Sequence, residues 1–162
     1  MGKCKYCGQS AGLFHTTHAE CEQRHNNGVA RIRDILGHCF RQKEDFYLHN
    51  NEIQRLRGEA FISDDSLRQL YCEALDIAIE QYLNDGIIDQ PEERCVARFM
   101  QFTGLPQQEL NANRSLEKVV QSKVLQELLN GQVPAPRITI SGPFPFLLNK
   151  NEHLLWLFRD VT

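Results

Sequence analysis

No run of apolar residues approaches the roughly 20 that span a bilayer. The opening Met-Gly-Lys-Cys-Lys-Tyr-Cys lacks the apolar stretch of a secretory signal, and Tyr6 stands where myristoylation of Gly2 needs Ser or Thr. A cytoplasmic protein without a transmembrane segment is therefore expected. Charge of one sign is scarce too: the net charge is −3 over 162 residues. Residues 1–60 carry nine Lys/Arg against seven Asp/Glu, and residues 61–162 carry nine against fourteen. That asymmetry is milder than the basic stripe usual in nucleic-acid binders. A Gly-rich phosphate loop, Gly-x-Ser-x-Gly and His-Glu-x-x-His are all missing, and with them the common signatures of nucleotide, hydrolase and metalloprotease chemistry. His38 and Cys39 are adjacent, but consecutive helical residues point about 100° apart and make no nucleophile–base couple. His38 is expected to face solvent as a partner of Asp34, one turn earlier. No enzyme is expected, and there is no internal repeat or low-complexity tract.

What is present is a globular balance, 41% hydrophobic and 24% charged. The six cysteines divide into two groups. Cys4, Cys7 and Cys21 crowd into the first 21 residues beside histidines, whereas Cys39, Cys72 and Cys95 stand alone within helical patterns. The isolated three are expected to be small buried hydrophobes. The clustered three point to metal rather than disulfides, since no export signal precedes them.

The clustered pattern is Cys4-x2-Cys7, ten residues beginning with Gly8, then His18-x2-Cys21. A two-residue spacing lets both thiolates of a turn reach one ion, with Gly8 relieving the backbone beneath it. His18 and Cys21 are three apart, so at a helix start they face the same way. Two such pairs supply the four tetrahedral ligands of a closed structural zinc site, with no position left for a catalytic water. Three thiolates and a neutral imidazole leave a formal charge of −1, which Lys3, Lys5 and Arg24 are near enough to moderate. Leu13 and Phe14 are the only large aliphatic and benzyl side chains in this stretch. Burial cannot hold so small a unit, whereas zinc binding of roughly 10 kcal/mol or more can. His15 and His25 remain substitutes for His18. This arrangement resembles the treble-clef and zinc-ribbon modules over residues 3 to about 25.

Beyond Ala19 the chain reads as helices. Val29, Ile32, Leu36, Cys39 and Phe40 recur at helical spacing, with Gly28 a weak point, and Phe46 and Tyr47 extend the stripe. His49-Asn50-Asn51 interrupts it, with Ile53 and Leu56 continuing after a kink and 58–63 as connection. Ser63 or Asp64 caps a central helix that runs to about Asn84, its apolar face formed by Leu67, Leu70, Tyr71, Ala74, Ile77, Ala78 and Leu83. Asp85-Gly86 ends it. Asp89, followed by Pro91-Glu92-Glu93, starts another helix lined by Cys95, Val96, Phe99 and Phe102 and stopped at Gly104. A short helix over 106–111 is expected. Leu116, Val119, Val120, Val124, Leu125, Leu128 and Leu129 predict a last long helix, closed by Gly131. After Pro134 and Pro136, residues 137–140 and 154–158 read as short strands. Strands need partners, so this end is expected to dock elsewhere or to begin a domain cut short.

The turn Asn84-Asp85-Gly86-Ile87-Ile88-Asp89 is not a calcium loop. With Gly86 at loop position 6, positions 1 and 3 fall on Gln81 and Leu83, which supply no carboxylate. Together with Glu92-Glu93, Thr103-Gly104-Leu105-Pro106 and Glu109-Leu110, this turn resembles the TerB-like module of tellurite-resistance and related bacterial proteins, over residues 29 to 131. The resemblance implies an all-helical bundle and a link to stress response, membrane-associated assemblies or phage-related systems. It also implies a second, acidic metal site at Asp85, Asp89, Glu92 and Glu93, which Asp76 and Glu80 approach from the preceding helix. Capping and solvation of two helix ends is the competing account of those acids.

The expected architecture is mainly α: a zinc module over 1–26, a TerB-like helical bundle over 27–132, then linker and short β segment over 133–162. The expected function is a zinc-binding, non-enzymatic adaptor with one structural Zn2+ and a protein partner, in a bacterial stress or phage-related assembly. The alternative is a zinc-dependent nucleic-acid binder using Arg24, Arg31, Arg33, Arg41, Lys43, Arg55 and Arg57. Interleaved Asp34, Glu44, Asp45, Glu52 and Glu59 make that face mixed in charge.

Overall fold

The computed structural model describes residues 2–12 and 15–131. Leu13, Phe14 and the strands expected over 137–140 and 154–158 lie outside the described residues.

Two short antiparallel strands, β1 (Gly2–Lys3) and β2 (Ser10–Gly12), pair Gly2 with Gly12 and Lys3 with Ser10. Then follow α1 (Ala19–Gln42), a 3-10 turn (Phe46–His49), α2 (Asn50–Glu59), α3 (Asp64–Tyr82), α4 (Gln90–Thr103), the single-turn α5 (Gln107–Leu110) and α6 (Ser115–Leu129). The described residues are mainly α, a helical bundle with one two-stranded sheet. No described helix is long and apolar enough to cross a membrane.

α3 is central and packs against α1, α4, α5 and α6. Ser63 caps it by accepting from the Ser66 amide at 3.1 Å, satisfying one orphan donor of the first turn. Its buried face is Leu67, Leu70, Tyr71, Leu75, Ala78, Ile79 and Tyr82. Ile77, expected on that face, is 57% exposed. One residue from Ala78 is a 100° rotation, which carries Ile77 off the stripe that Leu75 and Ile79 complete. Phe40, Phe46, Tyr71 and Phe99 interlock beneath it, with ring centroids 4.8–6.0 Å apart.

The stripe of α1 does not continue into Phe46 and Tyr47. Lys43 takes a left-handed conformation (φ 55°), its amide donates to the Phe40 carbonyl, and the Glu44 amide donates to Cys39 at 3.0 Å. That turn reverses the chain before the expected break at His49-Asn50-Asn51, and Asn50 opens α2 instead. Phe46 is buried and Tyr47 is exposed, edge-on to Phe102.

The turn after α3 is as expected. Gly86 is left-handed (φ 85°), and Asp89 forms a capping box with Glu92 at the start of α4, with Pro91 in the first turn. α6 departs from expectation: Leu116 is buried and Val119 half-buried, but Val120, Leu125, Leu128 and Leu129 are exposed. Ser122 is buried instead, because its hydroxyl accepts the Ile88 amide at 2.6 Å. A polar side chain on the inner face thus ties α6 to the turn before α4. Of the isolated cysteines, Cys39 and Cys95 are buried and Cys72 half-buried, and all six cysteines are free.

Candidate metal centre

The amino-terminal hairpin brings Cys4 and Cys7 near the start of α1. The Cys4 amide donates to the Gln9 carbonyl at 2.7 Å, and the Gly8 amide returns to the Cys4 carbonyl at 2.9 Å. This knuckle needs Gly8 in the left-handed region, φ 74°. It projects Cys4 and Cys7 toward the start of α1, where His18 is the residue before the helix and Cys21 lies in its first turn. The Lys5 amide also donates to Thr16 at 2.9 Å, tying the knuckle to the segment that leads into α1.

The donor atoms of Cys4, Cys7, His18 and Cys21 all lie within 4.8 Å of one another. His18 Nδ1 is 3.4 Å from Cys7 Sγ and 3.7 Å from Cys21 Sγ. A tetrahedron with arms of about 2.0–2.3 Å has edges of roughly 3.3–3.8 Å, so these separations suit one small ion. The far nitrogen, Nε2, is 2.9 Å from the Ser10 carbonyl. It therefore carries the proton and donates, which leaves Nδ1 as a lone pair aimed at the three sulfurs. A metal-bound histidine is normally fixed by such a bond through its second nitrogen. Here β2 supplies it, so strand and site are built together.

The electrostatics point the same way. Burial alone raises the Cys4 thiol, but donors from Cys7, His18 and Tyr6 outweigh it and bring Cys4 down to about 6. Cys21 is pushed up to about 11, first by burial and then by the neighbouring sulfurs. His18 is raised, chiefly by the Ser10 carbonyl and then by Cys7. Three sulfurs and an imidazole nitrogen gathered this closely could hold a metal ion. The donor set of three sulfurs and one imidazole fits Zn2+ in a closed tetrahedral site.

The two substitute histidines are placed elsewhere. His15 is exposed on the loop after β2. His25 donates from Nδ1 to the Ala60 carbonyl at 2.9 Å and stacks on Tyr6 with centroids 4.6 Å apart. It joins the hairpin to the connection between α2 and α3. Residues 26 and 27 lie inside the unbroken α1, so the module and bundle share a helix.

Among the described residues, Asp89, Glu92 and Glu93 are not gathered into a metal-ligating group. Asp89 and Glu92 are occupied with each other's backbone amides, at 2.7 and 3.1 Å. Glu92 also faces Lys43 at 3.6 Å, and Glu93 pairs with Lys123 at 2.7 Å. Asp76 accepts from Asn113 and Ser115, and Glu80 pairs with Lys118. The Asp85 side chain lies outside the described residues. Each described carboxylate has a local partner, and helix capping explains the two that open α4. His38 pairs with Glu44 at 3.6 Å rather than with the expected Asp34, because the turn at Lys43 swings Glu44 back over the helix. Spacing within a single helix could not reveal that pairing.

Comparison of the chain with protein-family models, curated proteins and solved structures finds no match.

Proposed function

We propose that this protein is a zinc-stapled, non-enzymatic adaptor whose helical bundle, TerB-like in its turns, docks a protein partner in a cytoplasmic bacterial stress or phage-linked assembly. The observation that carries the reading is the His18 imidazole, locked through Nε2 to Ser10 with Nδ1 facing Cys7 and Cys21. One Zn2+ held by Cys4, Cys7, His18 and Cys21 supplies a crosslink between the hairpin and the start of α1. With four protein ligands it has no open position for substrate.

Partner binding is supported by the apolar side chains left outside the core. Val120 and Leu129 on α6 are 62% and 67% exposed, and Leu125 and Leu128 lie on the same helix. Large apolar side chains exposed together on one helix are available to a partner. The nucleic-acid alternative draws less support from its arginines. Arg31, Arg33, Arg55 and Arg57 are paired with Glu52, Glu73, Glu59 and Asp64, and Lys43 with Glu92, which leaves few cations free for phosphates.

Elemental analysis of reduced, purified protein tests the metal reading. One tightly held zinc per chain is expected, with three thiols becoming reactive when a chelator removes it; a metal-free chain with an equally ordered hairpin would refute it. Retention on a mixed DNA and RNA pool separates the two functions. Binding that weakens steeply between low and moderate salt would favour the nucleic-acid reading, whereas an adaptor shows none.

A further inference from the structure

Among the described residues a second group brings metal-ligating atoms together: Cys39, Glu44 and His49, all within 4.8 Å of one another. Its spacing, Cys39-x4-Glu44-x4-His49, belongs to no single helix. Cys39 lies in the last turns of α1, Glu44 follows the left-handed Lys43, and His49 ends the 3-10 turn. The Glu44 amide on the Cys39 carbonyl fixes the first two, and Asp45, accepting from the Tyr47 amide at 3.0 Å, starts the turn that delivers the third.

The three donor atoms are near enough to share one ion, and two of them already meet in a hydrogen bond. His49 Nε2 is 3.3 Å from Glu44 Oε2, the edge expected of a tetrahedron with arms of about 2.0 Å. His38 Nε2 lies 3.6 Å from the other carboxylate oxygen, Oε1. It is placed as a residue that orients a metal-binding carboxylate from outside the sphere. One thiolate, one carboxylate and one neutral imidazole balance a divalent charge, which suits the sheltered position of Cys39, 0% exposed. The site is not sealed, however. His38 and His49 line a cavity of about 410 Å³ shared with Arg31, Asp34, Ile35, Arg41 and Glu52.

We propose that Cys39, Glu44 and His49 form a second binding site for a borderline divalent cation, Zn2+ above all, with His38 positioning the Glu44 carboxylate and one coordination position open to the cavity. Sulfur with imidazole nitrogen selects zinc-like ions over magnesium or calcium, which take oxygen donors. Three protein ligands and an open position distinguish it from the closed site at the amino terminus. It holds its ion more weakly, with one thiolate against three and two arginines on the cavity wall. It is independent of the amino-terminal site and fills when zinc is added to the protein as purified.

Metal-stripped, reduced full-length protein titrated with Zn2+, and in parallel with Co2+ for its visible spectrum, tests this. Two ions per chain are expected, the second adding a thiolate-to-cobalt band and shifting the His49 imidazole resonances. Glu44→Gln and His49→Ala should each hold one ion, as should Cys7→Ser, which keeps the second. His38→Gln should weaken the second ion by roughly 10–100-fold, leaving the first ion and the melting temperature unchanged. One ion in the wild type that is lost in Cys7→Ser overturns this proposal and leaves the amino-terminal zinc standing. One ion that survives Cys7→Ser but not Glu44→Gln does the reverse. Should His49→Ala fail to fold, the wild-type resonances decide: no His49 shift at the second equivalent refutes the site.

Discussion

Tyr82 shows how one side chain links burial to pH. Its hydroxyl donates to the Phe40 carbonyl at 2.7 Å, across the contact between α3 and α1. Burial first, then Cys95 and nearby carboxylates, raise it well above the ordinary tyrosine range; burial raises Tyr71 likewise. A raised acid keeps its proton in the folded state while the unfolded chain releases it. Its stabilising contribution is therefore complete below the unfolded value near 10 and disappears as pH climbs toward the folded one. Urea unfolding midpoints should fall progressively above about pH 10, with the share of tyrosinate absorbance due to Tyr71 and Tyr82 appearing only as the protein unfolds; a pH-independent midpoint there would contradict it. At the metal centre, His18→Ala should weaken zinc by more than the roughly 10–100-fold that loss of an outer-shell partner costs, measured by competition with a chromophoric chelator. Because His18 is raised, protons compete for its Nδ1 as pH falls, so zinc should leave at a higher pH than a free imidazole would dictate.

At the scale of elements, two glycines of α1 behave oppositely. Replacing Gly by Ala within a helix is normally favourable by about 1 kcal/mol. A Cβ at Gly28 would lie 2.3 Å from the Ala60 Cβ, however, and crowding a packed contact costs about 1–3 kcal/mol. Gly28→Ala should thus destabilise by roughly 1 kcal/mol. A Cβ at Gly37 meets only the movable Arg41 guanidinium at 3.1 Å, so Gly37→Ala should stabilise by up to about 1 kcal/mol. Urea titration of both variants checks the pair, and equal signs would sink the argument. Gly28 is a weak point for α1 by propensity, yet it is the place where α1 approaches the end of α2. Asp89 makes a simpler case: its capping box opens α4, and Asp89→Ala should cost about 1 kcal/mol, read from the same titration.

At the scale of the whole molecule, hairpin and bundle are held by different forces. The apolar core runs from Ile32 to Leu116 and includes no residue of the hairpin. The hairpin meets the bundle through the continuity of α1, the Tyr6–His25 stack and the His25–Ala60 bond. Chelation of the amino-terminal zinc should therefore release amide protection over residues 2–12 and 15–25 in hydrogen exchange, while the far-ultraviolet helical signal and the cooperative unfolding of the bundle persist. Loss of both together would mean that the ion supports the core as well.

Local rules made much of this protein legible from its residues. The Cys4, Cys7, His18 and Cys21 set, the Ser63 and Asp89 caps, the Gly86 and Gly104 stops and the helical class all follow from spacing of a few residues, because ligation and capping act within one or two turns. Tertiary structure alone decided what depends on where the chain reverses. Lys43, with nothing in its side chain to announce a left-handed turn, left Phe46 in the core and turned Tyr47 out of it. It also carried Glu44 back to His38, Cys39 and His49. Burial of Ser122 in place of Val120, and of Ile79 in place of Ile77, was settled by which neighbour each helix face met. A period of 3.6 residues says which side chains share a face, while the facing helix determines how wide that face is and which way it turns.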